Sequence, residues 1–208
     1  MLAHAPGFRS LYAGREIHFE EIYADVVDRA YRPVLRGPID KERKRLLKLI
    51  ERPMEGKVVI KEEEFFLKNR QGNLEFTLLA EGMRKLALLW LLIQNGTLLS
   101  GSILFWDEPE ANLNPSVIGQ IVAILLELQR MGVQIFLATH DYVLLKEFDL
   151  RGQCSDAVRF HSLFRHPQTK EIMSHGTTDY ASIHPNAIAD SFLDLYDRDI
   201  KRALKTDK

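Results

Sequence analysis

Two adjacent carboxylates, Asp107 and Glu108, follow a short apolar run and precede Pro109. The run, residues 103–106, reads Ile-Leu-Phe-Trp and predicts a strand buried on both faces of a parallel sheet. Open α/β folds bind ligands where such strands end. An aspartate there can hold Mg²⁺ through water, and a neighbouring glutamate can orient or deprotonate a water that attacks a phosphate. The simpler alternative is that both acids begin a polar turn.

A histidine, His140, follows a second apolar segment, residues 133–138, which predicts another buried strand. We therefore expect its imidazole at the same sheet edge as the two acids. At that edge it can hydrogen-bond a terminal phosphate or an attacking water. A histidine bonded to local backbone is the alternative interpretation.

A glycine, Gly82, stands at the predicted start of a helix, within the sequence Leu-Ala-Glu-Gly-Met-Arg-Lys of residues 79–85. Helix starts attract anions because their first N–H groups are unpaired and carry the positive end of the helix dipole. An ordinary turn and cap is the alternative. Asn112 and Asn114 lie in a short loop after the acids, which is either part of the site or a plain connector.

The elements around these residues predict an α/β fold. A helix over residues 81–94 ends at Asn95 and Gly96, and a second helix runs from Pro115 to residue 130 with Asn114 as its cap. With the two apolar strands, the second helix makes a right-handed strand–helix–strand unit. Upstream, residues 58–60, 65–67 and 74–78 predict an antiparallel meander.

Helices are expected on both flanks of this core. The first has an apolar stripe of Phe19, Ile22, Tyr23, Val26, Val27, Ala30 and Tyr31. A second, over residues 40–51, carries the basic segment Lys41, Arg43, Lys44, Arg45 and Lys48, which is expected to form a solvated helix face. Beyond His140 we expect a short helix at residues 143–148, a strand at 158–164 with a hairpin partner at 171–174, and a helix over 185–204. That last helix is expected to face the protein with Ile188, Phe192, Leu195, Tyr196, Ile200 and Leu204.

Composition limits the classes of protein that remain. The 208 residues are 46% hydrophobic and 27% charged, with a formal charge of −1, which fits one globular domain without a global basic field. No apolar run approaches the roughly 20 residues of a membrane span, and no export pattern opens the chain, so a cytoplasmic protein is expected. The lone Cys154 excludes a disulfide within the chain and is expected to fill the core.

In the order and spacing of these motifs, the sequence resembles the ABC-type ATPases, in the branch with SMC-like, OLD-like and bacterial "AAA family" proteins. Residues 79–85 look like the signature motif, residues 103–107 like Walker B, residues 112–115 like the D-loop and His140 like the switch histidine. The resemblance implies a P-loop NTPase-like parallel-sheet core, present in part, with an antiparallel meander and flanking helices. It also predicts one domain: a helical lead-in to residue 56, a core over 57–141, and a hairpin and terminal helix over 142–208.

The resemblance further implies ATP and Mg²⁺ as ligands. Asp107 would support Mg²⁺, Glu108 would activate water and His140 would sense the γ-phosphate. The nucleotide of the facing subunit in a head-to-tail homodimer would be contacted by Gly82. It would also be contacted by the neighbouring Glu81 and Arg84, and by Asn112 and Asn114 in the D-loop. An effector protein is a further implied partner.

The chain also departs from this family pattern. No Gly-x-x-x-x-Gly-Lys-Ser/Thr loop occurs, because the Gly56-Lys57 pair has Glu51 and Val58 at the other two positions. Ala80 stands where the signature usually has serine. The sequence is therefore interpreted as the carboxy-terminal lobe of such an ATPase, either a truncated product or one half of a split pair, which needs a Walker A lobe from elsewhere. The alternative is a nucleotide-independent lobe that binds a protein or, through the basic segment, DNA.

Overall fold

The computed structural model describes residues 2–15, 17–18 and 20–206, and its contacts form two compact units, residues 1–137 and 138–208. The sequence predicts a single domain, and no linker marks this boundary inside it. Within the described ranges, no helix is both long and apolar enough to cross a membrane.

The first unit begins with three helices, Ala5–Ala13 (α1), Glu21–Ala30 (α2) and Lys41–Met54 (α3). The apolar pattern correctly predicts α2, but its stripe is only partly covered. Val27 and Ala30 are buried, whereas Ile22 and Tyr23 are 61% and 42% exposed. Phe19, which the pattern places on the same stripe, lies outside the described residues.

Helix α3 begins at a capping aspartate and carries the basic segment. The Asp40 carboxylate accepts a hydrogen bond from the Arg43 backbone N–H at 2.7 Å, which satisfies one amide of the first turn. Arg43 itself is buried, and its Nε has no hydrogen-bond partner among the described residues. This arginine therefore belongs to the interior and not to the solvated basic face expected from the sequence.

The predicted antiparallel meander is confirmed as β1 (Lys57–Lys61), β2 (Glu64–Asn69) and β3 (Gly72–Glu75). Val58 pairs with Leu67, which in turn pairs with Leu74 on the other side. Residues 76–78 were expected in the third strand but form a short 3₁₀ helix. Phe76 in that turn is buried, with its ring centroid 5.5 Å from that of Phe65.

The predicted strand–helix–strand unit is also present, as β4 (Ile103–Asp107), α5 (Ile118–Arg130) and β5 (Gln134–Ala138), and α4 (Glu81–Gln94) precedes it. β4 and β5 form a two-stranded parallel sheet. Asn114 caps the 3₁₀ turn before α5 by accepting from the Ser116 N–H at 2.9 Å. Gly132 follows α5 with φ +87°, a left-handed conformation that favours glycine.

The core of the first unit lies among α3, α4 and α5. Helix α3 packs on both α4 and α5. The Trp90 indole N–H donates to the Glu51 carboxylate at 3.3 Å, and the buried Asn95 amide donates to the Arg29 carbonyl at 2.7 Å. These two polar contacts fix α4 against α3 and α2. The fully buried apolar side chains include Leu46, Ile50, Leu86, Ile93, Ile121, Ile124, Leu125 and Leu128.

Strand β4 is not buried on both faces, which corrects the prediction from its apolar sequence. Ile103 and Phe105 are 56% and 74% exposed, and Phe136 of β5 is 47% exposed. The rings of Phe105 and Phe136 stack with centroids 4.9 Å apart. Exposed and half-buried residues alternate along both strands, as in a sheet with one open face.

The second unit contains α6 (Tyr142–Arg151), β6 (Phe160–Arg165), β7 (Ile172–Thr177) and α7 (Ala187–Thr206). The predicted short helix and hairpin are confirmed, since β6 and β7 pair antiparallel. Tyr142 of α6 stacks on Phe192 of α7 with ring centroids 4.0 Å apart. The Lys146 ammonium of α6 lies 4.5 Å from the centroid of the Tyr180 ring.

Two predictions of burial in this unit are wrong. The apolar stripe of α7 was expected to face the protein, yet Phe192, Leu195, Tyr196, Ile200 and Leu204 are each at least 41% exposed. Cys154 is exposed and so does not fill the core. Periodicity specifies that a helix has an apolar face, but burial also needs an opposing surface, which local sequence does not encode.

Candidate functional site

The two candidate acids lie where β4 ends. Asp107 is the last residue of the strand and is exposed, whereas Glu108 is half-buried. Glu108 has φ +45° and Asn112 has φ +63°, so the chain enters the left-handed region twice within five residues. That region costs a residue with a side chain about 1–3 kcal/mol, and surrounding contacts must stabilise it.

Backbone hydrogen bonds fold residues 108–114 into a compact loop. The Ala111 N–H donates to the Glu108 carbonyl at 3.1 Å, and the Leu113 N–H donates to the Glu110 carbonyl at 3.1 Å. Asn114 then begins the turn before α5. Residues 108–113 therefore form a hydrogen-bonded turn.

Lys85 of α4 holds the beginning of this loop. Its ammonium donates to the Glu108 carbonyl at 3.1 Å and to the Ala111 carbonyl at 3.2 Å. Hydrogen bonds from a charged donor are stronger than neutral ones. The lysine side chain therefore stabilises the turn that includes the left-handed Glu108.

The first turn of α4 holds the other end of the loop. The Asn112 side-chain amide donates to the Glu81 carboxylate at 2.9 Å. Gly82 is buried there, and a Cβ added to it would lie 2.5 Å from the Asn112 carbonyl oxygen and 2.5 Å from Leu113 Cδ2. Glycine is thus required at this position because the loop backbone approaches the helix too closely for a side chain.

The start of α4 has no side-chain cap, because its N-cap residue, Ala80, has no side-chain oxygen. The first amides of the helix are left without that usual acceptor. Arg84, expected to face the nucleotide, is half-buried and donates to the Phe76 carbonyl at 3.4 Å. The helix start keeps the features that attract an anion, and Arg84 has a contact within the chain.

His140 belongs to the second unit, in the extended stretch between β5 and α6. Its neighbours on both sides form local hydrogen bonds. The Asp141 N–H donates to the Thr139 hydroxyl at 3.0 Å, and the Asp141 carboxylate accepts from the Leu144 N–H at 2.6 Å as the cap of α6. The backbone around this exposed histidine is therefore fixed by the helix cap.

Within the first unit, the structure brings Glu81, Gly82, Glu108 and Asn112 together around one loop. No cluster of three metal-ligating side chains occurs in the described part of the chain. The exposed Asp107 carboxylate nevertheless fits Mg²⁺, which takes one or two protein carboxylates and completes its shell with water and phosphate oxygens. Lys85 was missed as a site residue, because its acceptors lie 23 and 26 positions away along the chain.

Comparisons with solved structures give SMC ATPase heads. A structure described as "Structural biochemistry of ATP-driven dimerization and DNA stimulated activation of SMC ATPases" is 12% identical, with a TM-score of 0.43, and the match covers 65% of this chain and 89% of that one. The Smc head of Pyrococcus furiosus bound to the C-terminal domain of ScpA is 10% identical, with a TM-score of 0.45 and coverages of 64% and 34%.

A third structure, the SmcHead bound to the C-winged helix domain of ScpA, is 11% identical, with a TM-score of 0.49 and coverages of 68% and 44%. The chain thus spans less than half of the second and third structures. No curated protein matches the sequence.

A family model described as "AAA domain, putative AbiEii toxin, Type IV TA system" matches residues 7–146. This match includes every motif from the signature-like segment to His140, and it confirms the resemblance to AAA family ATPases of the ABC type. Because the match covers well over half of the sequence, the protein belongs to this AAA domain family.

Proposed function

We propose that this chain is the Walker B, signature and switch-histidine lobe of an ABC-type ATPase, which hydrolyses ATP to ADP and phosphate together with a phosphate-loop lobe. Asp107 would hold Mg²⁺ through water, and the ion would neutralise charge on the phosphates. Glu108 would accept a proton from the attacking water, and His140 would hydrogen-bond the γ-phosphate.

The observation that carries this proposal is the attachment of the Glu108 loop to the first two turns of α4. Lys85 donates to the Glu108 carbonyl, and Glu81 accepts from Asn112. Two segments that resemble Walker B and the signature motif are thereby held in one rigid arrangement. A turn that merely connected β4 to α5 would not need these contacts, or the buried glycine that lets the loop approach.

The open sheet face supports the need for a second lobe. Ile103, Phe105 and Asp107 alternate with half-buried residues and lie on the exposed face of β4. Exposed apolar patches of this kind mark surfaces that bind another protein segment. A lobe that covered Phe105 would also come close to Asp107, which is where a phosphate loop and its Mg²⁺ are needed.

The proposal includes a head-to-tail homodimer. The uncapped start of α4, with Gly82, would face the nucleotide held by the partner molecule, since unpaired helix amides favour phosphate groups. Hydrolysis would then open the dimer and could move an attached effector protein.

The test is complementation. The 208-residue chain is assayed for ATP hydrolysis alone and after mixing with a polypeptide of the same family that carries a Gly-x-x-x-x-Gly-Lys-Ser/Thr loop. We expect hydrolysis in the mixture and its loss with Glu108→Gln. Hydrolysis that Glu108→Gln leaves unchanged contradicts the role of Glu108, and a mixture without hydrolysis contradicts the function.

Calorimetric titration of MgATP into the Glu108→Gln chain alone provides a separate measurement, because this variant removes turnover. Weak or undetectable binding is expected from a lobe without a phosphate loop. Tight, saturable binding would show that the chain holds phosphates by itself, and the two-lobe proposal would have to be abandoned.

A second candidate function, nucleotide-independent binding of DNA, is favoured by the basic face of α3. A groove of about 500 Å³ there is lined by Lys41, Lys44, Arg45, Lys48, Leu49 and Arg52. Arg45 pairs with Glu127 at 2.9 Å, so part of this charge is neutralised within the chain. Arg43, which the sequence placed in the basic segment, is buried and does not contribute to this face.

Salt dependence distinguishes this function from the ATPase. If the α3 face binds duplex DNA, replacing Lys41, Lys44 and Lys48 by glutamine should weaken binding. The loss of three phosphate contacts should also reduce the magnitude of the slope of log K against log salt by about 2.7. DNA retention that is equal for the triple variant and the unmodified chain would eliminate DNA binding through this face.

A further inference from the structure

Lys85 is a half-buried cation between α4 and the loop that carries Glu108, and the proposed ATPase function gives it no role in the reaction. We infer that Lys85 is a positioning residue, whose ammonium group fixes the turn of residues 108–111 and so directs the Glu108 carboxylate at the end of β4. The inference rests on the ATPase function proposed above, because the direction of that carboxylate matters only if Glu108 activates water.

The hydrogen bonds show how one side chain can fix this turn. The Lys85 ammonium donates to the carbonyls of Glu108 and Ala111, which lie at the two ends of the turn. The Glu108 carbonyl also accepts from the Ala111 N–H at 3.1 Å. One carbonyl oxygen therefore receives a backbone donor and a charged donor, which uses both of its lone pairs.

The backbone conformation of Glu108 explains why the turn needs support. Its φ of +45° is uncommon for a residue with a side chain, and relaxation to negative φ would redirect the Cα–Cβ bond. The carboxylate would then leave its present direction although the strand before it stayed in place. In the observed turn both carbonyl oxygens lie within 3.2 Å of the ammonium, so Lys85 favours that conformation.

The neighbouring residues give Lys85 a rigid base. Gly82, one turn earlier on α4, is packed against Asn112 and Leu113 at the other end of the loop. The adjacent Arg84 donates to the Phe76 carbonyl, and among the described residues it has no hydrogen bond to residues 108–111. These two neighbouring cations thus have different acceptors, and Arg84 offers a matched control.

Amide hydrogen exchange of the full chain, followed by NMR, tests directly whether the Lys85 hydrogen bonds stabilise the turn. Lys85→Met keeps the length of the side chain and removes the charge. We expect it to accelerate exchange of the Ala111 N–H by about tenfold or more, because hydrogen bonds of charged groups contribute at least that factor to an equilibrium. Lys85→Arg should restore most of the protection, and Arg84→Met should leave it unchanged. Equal exchange in Lys85→Met and the unmodified chain would overturn the inference.

If Lys85→Met does not fold, the unmodified chain still gives an answer. The ammonium protons of Lys85 should exchange with water more slowly than those of the exposed Lys41 and Lys44, since two carbonyls accept from them. Ammonium exchange as fast as that of the exposed lysines would contradict the two hydrogen bonds of Lys85.

Hydrolysis in the two-lobe mixture separates failure of this inference from failure of the proposed function. We expect Lys85→Met to lower kcat by tenfold or more and to leave the KM for ATP nearly unchanged, with Lys85→Arg recovering most of kcat. If no mixture hydrolyses ATP while Lys85→Met still accelerates exchange of the Ala111 N–H, the ATPase function fails but the role of Lys85 in fixing the turn is supported. If hydrolysis depends on Glu108 but Lys85→Met changes neither exchange nor kcat, the assignment of Lys85 is wrong.

Discussion

Replacing Gly82 by alanine tests the close approach of the loop to α4. Two effects of opposite sign compete in this variant. Alanine is a better helix residue than glycine and would stabilise a helix interior by about 0.5–1 kcal/mol. Against this, the new Cβ would lie 2.5 Å from the Asn112 carbonyl oxygen, whereas carbon–oxygen contacts normally lie at about 3.3–3.6 Å.

The clash should win, because relief requires movement of backbone. The Leu113 side chain, also 2.5 Å from the new Cβ, can change rotamer, but the Asn112 oxygen is part of a turn with φ +63°. Moving that turn by about 1 Å also strains the Asn112–Glu81 hydrogen bond. Overpacking of this kind costs about 1–3 kcal/mol. After the helix gain is subtracted, we expect a net loss of about 1–2 kcal/mol.

Urea unfolding followed by tryptophan fluorescence measures this loss, because both tryptophans, Trp90 in α4 and Trp106 in β4, lie in the first unit. Gly7→Ala is the matched control, since Gly7 lies in α1 and a Cβ there meets nothing within 4 Å. We expect Gly7→Ala to be neutral or stabilising. If Gly82→Ala unfolds at the same urea concentration as Gly7→Ala, or later, the argument from close approach is refuted.

Three further substitutions test separate parts of the structure. The Ser182 hydroxyl donates to Asp179 at 2.6 Å and, with the Ala181 N–H, lowers the pKa of that carboxyl. Ser182→Ala should raise this pKa toward its ordinary value. An unchanged NMR titration of the carboxyl would contradict the hydroxyl hydrogen bond as the cause of the lowered pKa. A lowered pKa stabilises the folded state at pH values above the pKa of the same carboxyl in the unfolded chain, and this stabilisation is lost as the pH falls through the pKa of the folded state. Ser182→Ala should therefore also lessen the loss of stability in acid in this region. Arg43→Met should leave the unfolding free energy unchanged or raise it by about 1 kcal/mol, since a buried group without a partner on Nε is removed; a loss above about 1 kcal/mol in urea would show that the charge is satisfied. Phe105→Lys should cost about 0.5–1.5 kcal/mol, because it removes the stack on Phe136 although the ring is 74% exposed, and it should weaken association with the phosphate-loop lobe. Equal affinity in a binding titration rules out this face as the contact.

Much of the fold could be predicted because its signals are local. The apolar period and the stop at Asn95 and Gly96 correctly bound α4, and the Asn69–Gly72 turn separates two strands of the meander. Helix and turn residues act through their own backbone conformations and near neighbours, so a few adjacent positions contain the information.

Burial was predicted less well, because it depends on what lies opposite. The sequence of β4 is apolar throughout, yet Ile103 and Phe105 are exposed, and the same is true of the α7 stripe. The prediction for the basic segment is wrong in the opposite sense, because Arg43 was expected to be exposed and is buried. Periodicity alone cannot identify the residues that cover it. An apolar or charged pattern fixes the direction of side chains, whereas exposure depends on distant segments.

The sequence by itself determined which residues are candidates for the site, because Asp107, Glu108, Gly82 and His140 have chemical types and spacings that could be recognised one motif at a time. Only the tertiary structure decided how Glu108 and Gly82 are held. The contact of Gly82 with Asn112 and the hydrogen bond from Lys85 to the Glu108 carbonyl join positions more than 20 residues apart. Such contacts form because packed elements approach in space, and spacing along the chain carries no record of that approach.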